Sequence, residues 1–94
     1  MPDLMVRVWI KPERFAEVKD YTLREIQWYL ESQEGRVRVS PTQDRHPTSG
    51  EMYHGLLITG RTEQVLKCEE RVRKLILRCR TLIKEGVWDL VYGL

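Results

Sequence analysis

The sequence predicts an α+β fold: a three-stranded antiparallel sheet with helices on one face and a short C-terminal extension. Three observations carry this. Two short runs, "LMVRVWI" and "RVRVS", alternate with period two and are rich in β-branched residues. Two longer runs carry apolar residues at spacings of three and four. Between the second and third strand-like runs lies only a stretch rich in proline, glycine and small polar residues, which leaves no place for a crossover helix.

The first strand is Leu4–Ile10, with Met5, Arg7 and Trp9 on one face and Leu4, Val6, Val8 and Ile10 on the other. Pro12 ends it and suits the first turn of a helix. From Glu13 to about Gln33 the apolar residues Phe15, Val18, Leu23, Ile26 and Leu30 repeat with helical spacing. Asp20 or Thr22 suits an N-cap, with Glu25 completing a capping box after Thr22. The expectation is one kinked helix, or two short helices meeting near Lys19–Tyr21, stopped by Gly35. Arg36–Ser40 is the second strand, Pro41–Glu51 a mobile loop, and Met52–Gly60 the third strand. Thr62–Lys84 is the longest helical run, with Thr62 as N-cap and Gly86 as its stop. The tail "VWDLVYGL", Val87–Leu94, is too short to define itself. No internal repeat or linker divides the chain, so residues 1–94 read as one domain, with a core over about 4–84 and a tail over 85–94.

Composition excludes more than it selects. With 41 % hydrophobic residues the chain can bury a modest core. No stretch reaches the roughly 18 apolar residues of a membrane span, and the first residues lack a signal-peptide core, so an intracellular protein is expected. A formal net charge of +2 permits nucleic-acid binding without arguing for it. Cys68 and Cys79 fall in one helical run, about 16 Å apart along the axis, and read as reduced core thiols. His46 and His54 have no cysteine or histidine at ligand spacing, so neither metal nor cofactor is expected. No nucleophile triad, paired-carboxylate motif or glycine-rich nucleotide loop is visible, and no small-molecule substrate is implied, which argues against an enzyme.

The order of elements and three local patterns resemble a type I KH domain, a module that binds single-stranded RNA or DNA. "TLREIQ", Thr22–Gln27, is similar to that family's helix opening T-I-K-x-I-Q, and "RVRVS" to the strand that follows. "LLITGRTEQVLKCEERVRKLI", Leu57–Ile76, is similar to its last strand and helix, with Gly60, Val65, Cys68 and Val72 at the family's spacing. The resemblance covers Val6 to about Arg80 and implies the order β-α-α-β-β-α. In the family a G-x-x-G turn between the first two helices brings backbone amides to the phosphates. Here no glycine stands before Thr22. Either that turn has been deleted, leaving the chain four residues short, or Val18–Tyr21 replaces it with both glycines lost. Asp20 would then set a carboxylate where phosphate should lie.

Two classes of surface follow. The resemblance implies RNA contacts from basic side chains: Lys19 and Arg24 beside the lost turn, Arg36 and Arg38 on one strand face, and Arg45 and His46 in the following loop. Lys67, Arg71, Lys74 and Arg78 form a further basic stripe, which reads as a solvated helix face with Glu63 and Glu70 as pairing partners. Trp9, Trp28, Tyr29, Trp88 and Tyr92 exceed what so small a core hides, and read as a protein interface. The leading expectation is a KH-like module in RNA biology that acts mainly through protein contacts or self-association, with weak single-stranded RNA binding. The alternatives are direct, sequence-tolerant RNA binding, and a ferredoxin-like dimerisation domain with "VWDLVYGL" as a fourth strand.

Overall fold

The computed structural model describes residues 3–91. Strand β1 (Asp3–Ile10) leads to helix α1 (Phe15–Ser32), strands β2 (Val37–Arg45) and β3 (Met52–Arg61), helix α2 (Thr62–Lys84) and a short helix α3 (Val87–Val91). The sheet is antiparallel with β3 in the centre, in the order β1-β3-β2. All three helices lie on one side of it. The Cα envelope of 44 × 38 × 16 Å is two layers thick, so the second face of the sheet is open to solvent.

The core follows the alternation of the strands. Val8 and Ile10 of β1, Val37 of β2 and Leu56 and Ile58 of β3 point to the helices and are buried. Val18, Tyr21, Ile26 and Tyr29 of α1 and Val65, Cys68, Val72 and Cys79 of α2 close over them. Each fully buried aliphatic side chain contributes about 1.5–3 kcal/mol relative to exposure. Burial also pushes the Cys68 thiol up to about 11 and raises the Cys79 thiol, which keeps both protonated and unreactive at neutral pH.

Several local expectations are corrected. Of the two readings of the first helical stretch the structure has the single helix, continuous through Lys19–Tyr21, and not two helices meeting there. Thr22 does not cap a second helix: it is buried, and its hydroxyl donates to the Val18 carbonyl one turn back at 2.8 Å. Asp20 points to solvent. The second strand runs on to Arg45, so the loop shrinks to the residues between Arg45 and Met52. Pro41 sits inside β2, opposite Leu56, which an edge strand tolerates. Arg61, in extended conformation, is the N-cap of α2, and Thr62 is its first helical residue. Gly86, at φ +77°, reverses the chain after α2, and Val87–Val91 is helical. That removes the fourth strand a ferredoxin-like fold requires.

Tyr29 and Trp88 are likewise corrected. The sequence assigns both to an interface, yet they are 6 % and 5 % exposed. Tyr29 lies under the Arg71 guanidinium, 4.3 Å from its ring centroid. Trp88 packs edge-on against Tyr21 at 5.4 Å and donates from its indole nitrogen to Glu17 Oε2 at 2.7 Å. Helix α3 therefore docks through Trp88 on the first turns of α1.

Candidate interaction surfaces

The start of α1 is tied down by the chain's own side chains. The chain enters the helix through Arg14, whose φ of +52° turns the backbone sharply at the N-cap. The Arg14 side chain forks between two carboxylates, reaching Glu17 Oε2 at 2.6 Å and Asp89 Oδ1 at 2.8 Å. Hydrogen bonds from Arg14, then from Trp88, hold the Glu17 carboxyl below its ordinary value, while Glu17 and then Asp89 hold Arg14 above its own. Arg80 adds a tie from α2, donating to the carbonyls of Glu13 and Lys11. The positive end of the α1 dipole thus carries the chain's own Glu17 in its first turn.

The sequence-predicted basic residues do not form one strip. Lys19 is half-buried on α1, 5.9 Å above Phe15, whose ring stacks on His54 at 4.3 Å. Arg24 is exposed on α1 near the Tyr21 ring. Arg36 precedes β2 and lies 3.7 Å from Glu34. Arg38 is on the open face, opposite Thr59. Arg45 is seven positions further along, on the opposite face and about 23 Å away along the strand. His46 organises the hairpin: its Nδ1 accepts from the amides of Thr48 and Ser49 at 3.3 and 3.2 Å. Arg36 and Arg38 meet at one end of the sheet. Lys19, Arg24, Arg45 and His46 do not join them.

The structure brings together a different set. Arg7, Trp9, Arg38, Tyr53, Leu57 and Arg61 share the open face of the sheet. Trp9 is 43 % exposed and lies 6.1 Å from Tyr53, its ring passing over Gly55. Gly55 is required there, because an added Cβ would sit 2.3 Å from the Val8 carbonyl and 3.0 Å from the indole. Among the described residues, Arg7, Arg38 and Arg61 make no ion pair. Asp3 and Asp44 are the acids on this face. The alternation in "LMVRVWI" already places Arg7 beside Trp9. Arg61 gives no such signal, since it stands at the strand-to-helix boundary.

The helix layer has its own exposed apolar residues. Trp28 on α1 is 63 % exposed, above a groove between α1 and α2 that Tyr29, Arg71, Lys74 and Arg78 help line. Leu66 and Leu77 lie on the flank of α2 turned away from that groove. The i, i+4 pairs Lys67–Glu63 and Lys74–Glu70, at 3.3 and 3.1 Å, neutralise part of the basic stripe. Tyr92 lies outside the described residues. Among these residues no helix is long and apolar enough to cross a membrane.

No family model matches the chain, no curated protein matches it, and no solved structure matches it.

Proposed function

We propose that the chain is a non-enzymatic KH-like module in an RNA setting that works mainly through protein contacts. The observation that carries this reading is the apolar surface left outside the helix layer, where Trp28, Leu66 and Leu77 are each more than half exposed. Side chains of this kind mark interfaces when they are not absorbed by the chain's own core. The element order through α2 is compatible with the family that the sequence resembles, its first two helices being fused into α1. Helix α1 runs unbroken through Val18–Tyr21, where that family carries its phosphate-clamping turn, and this argues against the clamp.

One observation favours a second reading, direct binding of single-stranded RNA. The open sheet face combines Trp9 and Tyr53 with Arg7, Arg38 and Arg61, and such faces stack bases and contact phosphates.

Sedimentation of the full chain, with and without a short single-stranded RNA, tests both. The expected result is a mass above that of the monomer that RNA does not change. A monomer that gains mass only with RNA, at low salt, favours the second reading. A monomer with no response to RNA contradicts both.

A further inference from the structure

We infer that Arg36, Arg38 and Arg61, at one end of the open sheet face, bind a phosphate monoester carried by a phosphorylated segment of a partner protein. The site goes beyond the protein-contact reading, which rests on exposed residues of the helix layer. The β2–β3 register runs out through Val37 opposite Gly60 to Arg36 opposite Arg61, whose amide donates to the Arg36 carbonyl at 3.0 Å. Gly60, at φ +144°, permits this approach, because an added Cβ would strike that same carbonyl. Two like charges therefore stand directly opposite each other, and Arg38 lies diagonal to Arg61 on the same face. Like charges so placed destabilise a sheet, and an anion set between them reverses the sign of that contribution. The chain's own carboxylates do not neutralise the cluster. Asp3 is opposite Arg61 in the β1–β3 register, yet among the described residues it makes no ion pair. Glu34 reaches only Arg36, at 3.7 Å, from an exposed position. The three arginines line one concavity of about 600 Å³, to which Thr59, between Met5 and Arg38 in the strand pairing, adds a hydroxyl.

The arginines select the group and the rim selects its carrier. A phosphate monoester brings about two negative charges and three strong acceptor oxygens at neutral pH, which suits three guanidinium forks better than the single charge of a carboxylate does. Asp3 on β1 and Glu34 in the turn before β2 bound the concavity. A nucleic-acid strand repeats a charge at every nucleotide, so the phosphates flanking the bound one would meet these carboxylates. A phosphorylated peptide places one dianion among neutral residues and escapes that repulsion. Met5, 57 % exposed and opposite Thr59, offers apolar surface to the side chain next to the phosphorylated one. Arginine clusters of this kind recur where phosphorylated segments are read.

Titration calorimetry of the full chain tests this, with a short peptide that carries phosphoserine at its centre and leucine beside it. The wild type is expected to bind this peptide, and to bind the unphosphorylated form and a form with glutamate in place of phosphoserine at least tenfold more weakly. Arg38→Gln and Arg61→Gln alter exposed side chains and should each weaken binding at least tenfold. Arg61→Gln should also raise the Tm of the free chain, because it removes one of two opposed charges, whereas the phosphopeptide should raise the Tm of the wild type alone. Arg7→Gln, on the same face outside the concavity, should bind like the wild type. A wild type that does not bind the phosphopeptide overturns the inference, as does binding that survives both arginine changes. Inorganic phosphate that binds as tightly as the phosphopeptide removes the peptide from the site and overturns it too. A short single-stranded RNA that displaces the phosphopeptide at about 0.15 M salt overturns it in favour of RNA. Each of these outcomes is read as binding and none as mass, so the protein-contact reading is decided separately by sedimentation.

Discussion

The two edges of the sheet, β1 and β2, flank the same central strand and differ in how they end it. β2 carries Pro41 in mid-strand and continues through Thr42, Gln43, Asp44 and Arg45, so the outer half of that edge is polar and interrupted. β1 is apolar at every inward position from Leu4 to Ile10 and has no interruption. Natural sheets blunt their free edges with proline, charge or short length. One edge here is blunted in that way and the other is not. Pairing competence is therefore a property of individual residues along a strand and does not follow from topology alone.

The largest expected effect is the one that damages both edges equally. Ile58 on β3 is fully buried between them, and Ile58→Ala should cost about 3 kcal/mol. Urea unfolding followed by circular dichroism measures it; a cost below about 1 kcal/mol would mean that the centre of the sheet is less tightly packed than its burial indicates. Next in size is a change that erases the difference. Pro41→Val should open the β2 edge to pairing and raise the sedimenting mass above that of the wild type, while an unchanged mass would show that Pro41 is not what blunts this edge.

Acid separates the β1 edge from the tail docked nearby. The folded state lowers the Glu17 carboxyl below its ordinary 4.5, so its contribution is present above that value and is lost as pH falls through the depressed folded value. Arg14 and Trp88 face this carboxyl, and Asp89 shares the Arg14 guanidinium with it. As pH falls through that depressed value α3 should leave α1, and the fluorescence of buried Trp88 should shift to the red. Glu17→Gln should show that spectrum already at neutral pH, and an unshifted spectrum would mean that this carboxylate does not hold α3 in place. The smallest expected effect concerns RNA. Arg38→Glu with Arg61→Glu should abolish any binding measured by fluorescence anisotropy at low salt, and the wild-type signal should fall steeply as salt rises.

The alternation of "LMVRVWI", the antiparallel sheet and the helical stripe of α2 are legible in the sequence, because period and burial coincide there. The fate of the aromatics is not. Tyr29 and Trp88 disappear into the core through partners distant in sequence, Arg71 for one and Glu17 with Tyr21 for the other, and local pattern carries no trace of such contacts. Pro41 reads as the end of a strand because proline removes a donor, but whether that donor is needed depends on which strand lies at the edge. Thr22 and Glu25 have capping-box spacing, yet tertiary burial of Thr22 turns its hydroxyl back to Val18. The alternation of "RVRVS" sets Arg36 and Arg38 near each other, whereas Arg61 and Arg7 join Arg38 only through strand pairing.

Amide hydrogen exchange of the two edges at rising protein concentration is the most direct test. The expected result is slowing of exchange in Asp3–Ile10 with concentration, while Val37–Arg45 exchanges at a constant rate. Equal behaviour of the two strands at every concentration would contradict the assignment of β1 as the pairing edge.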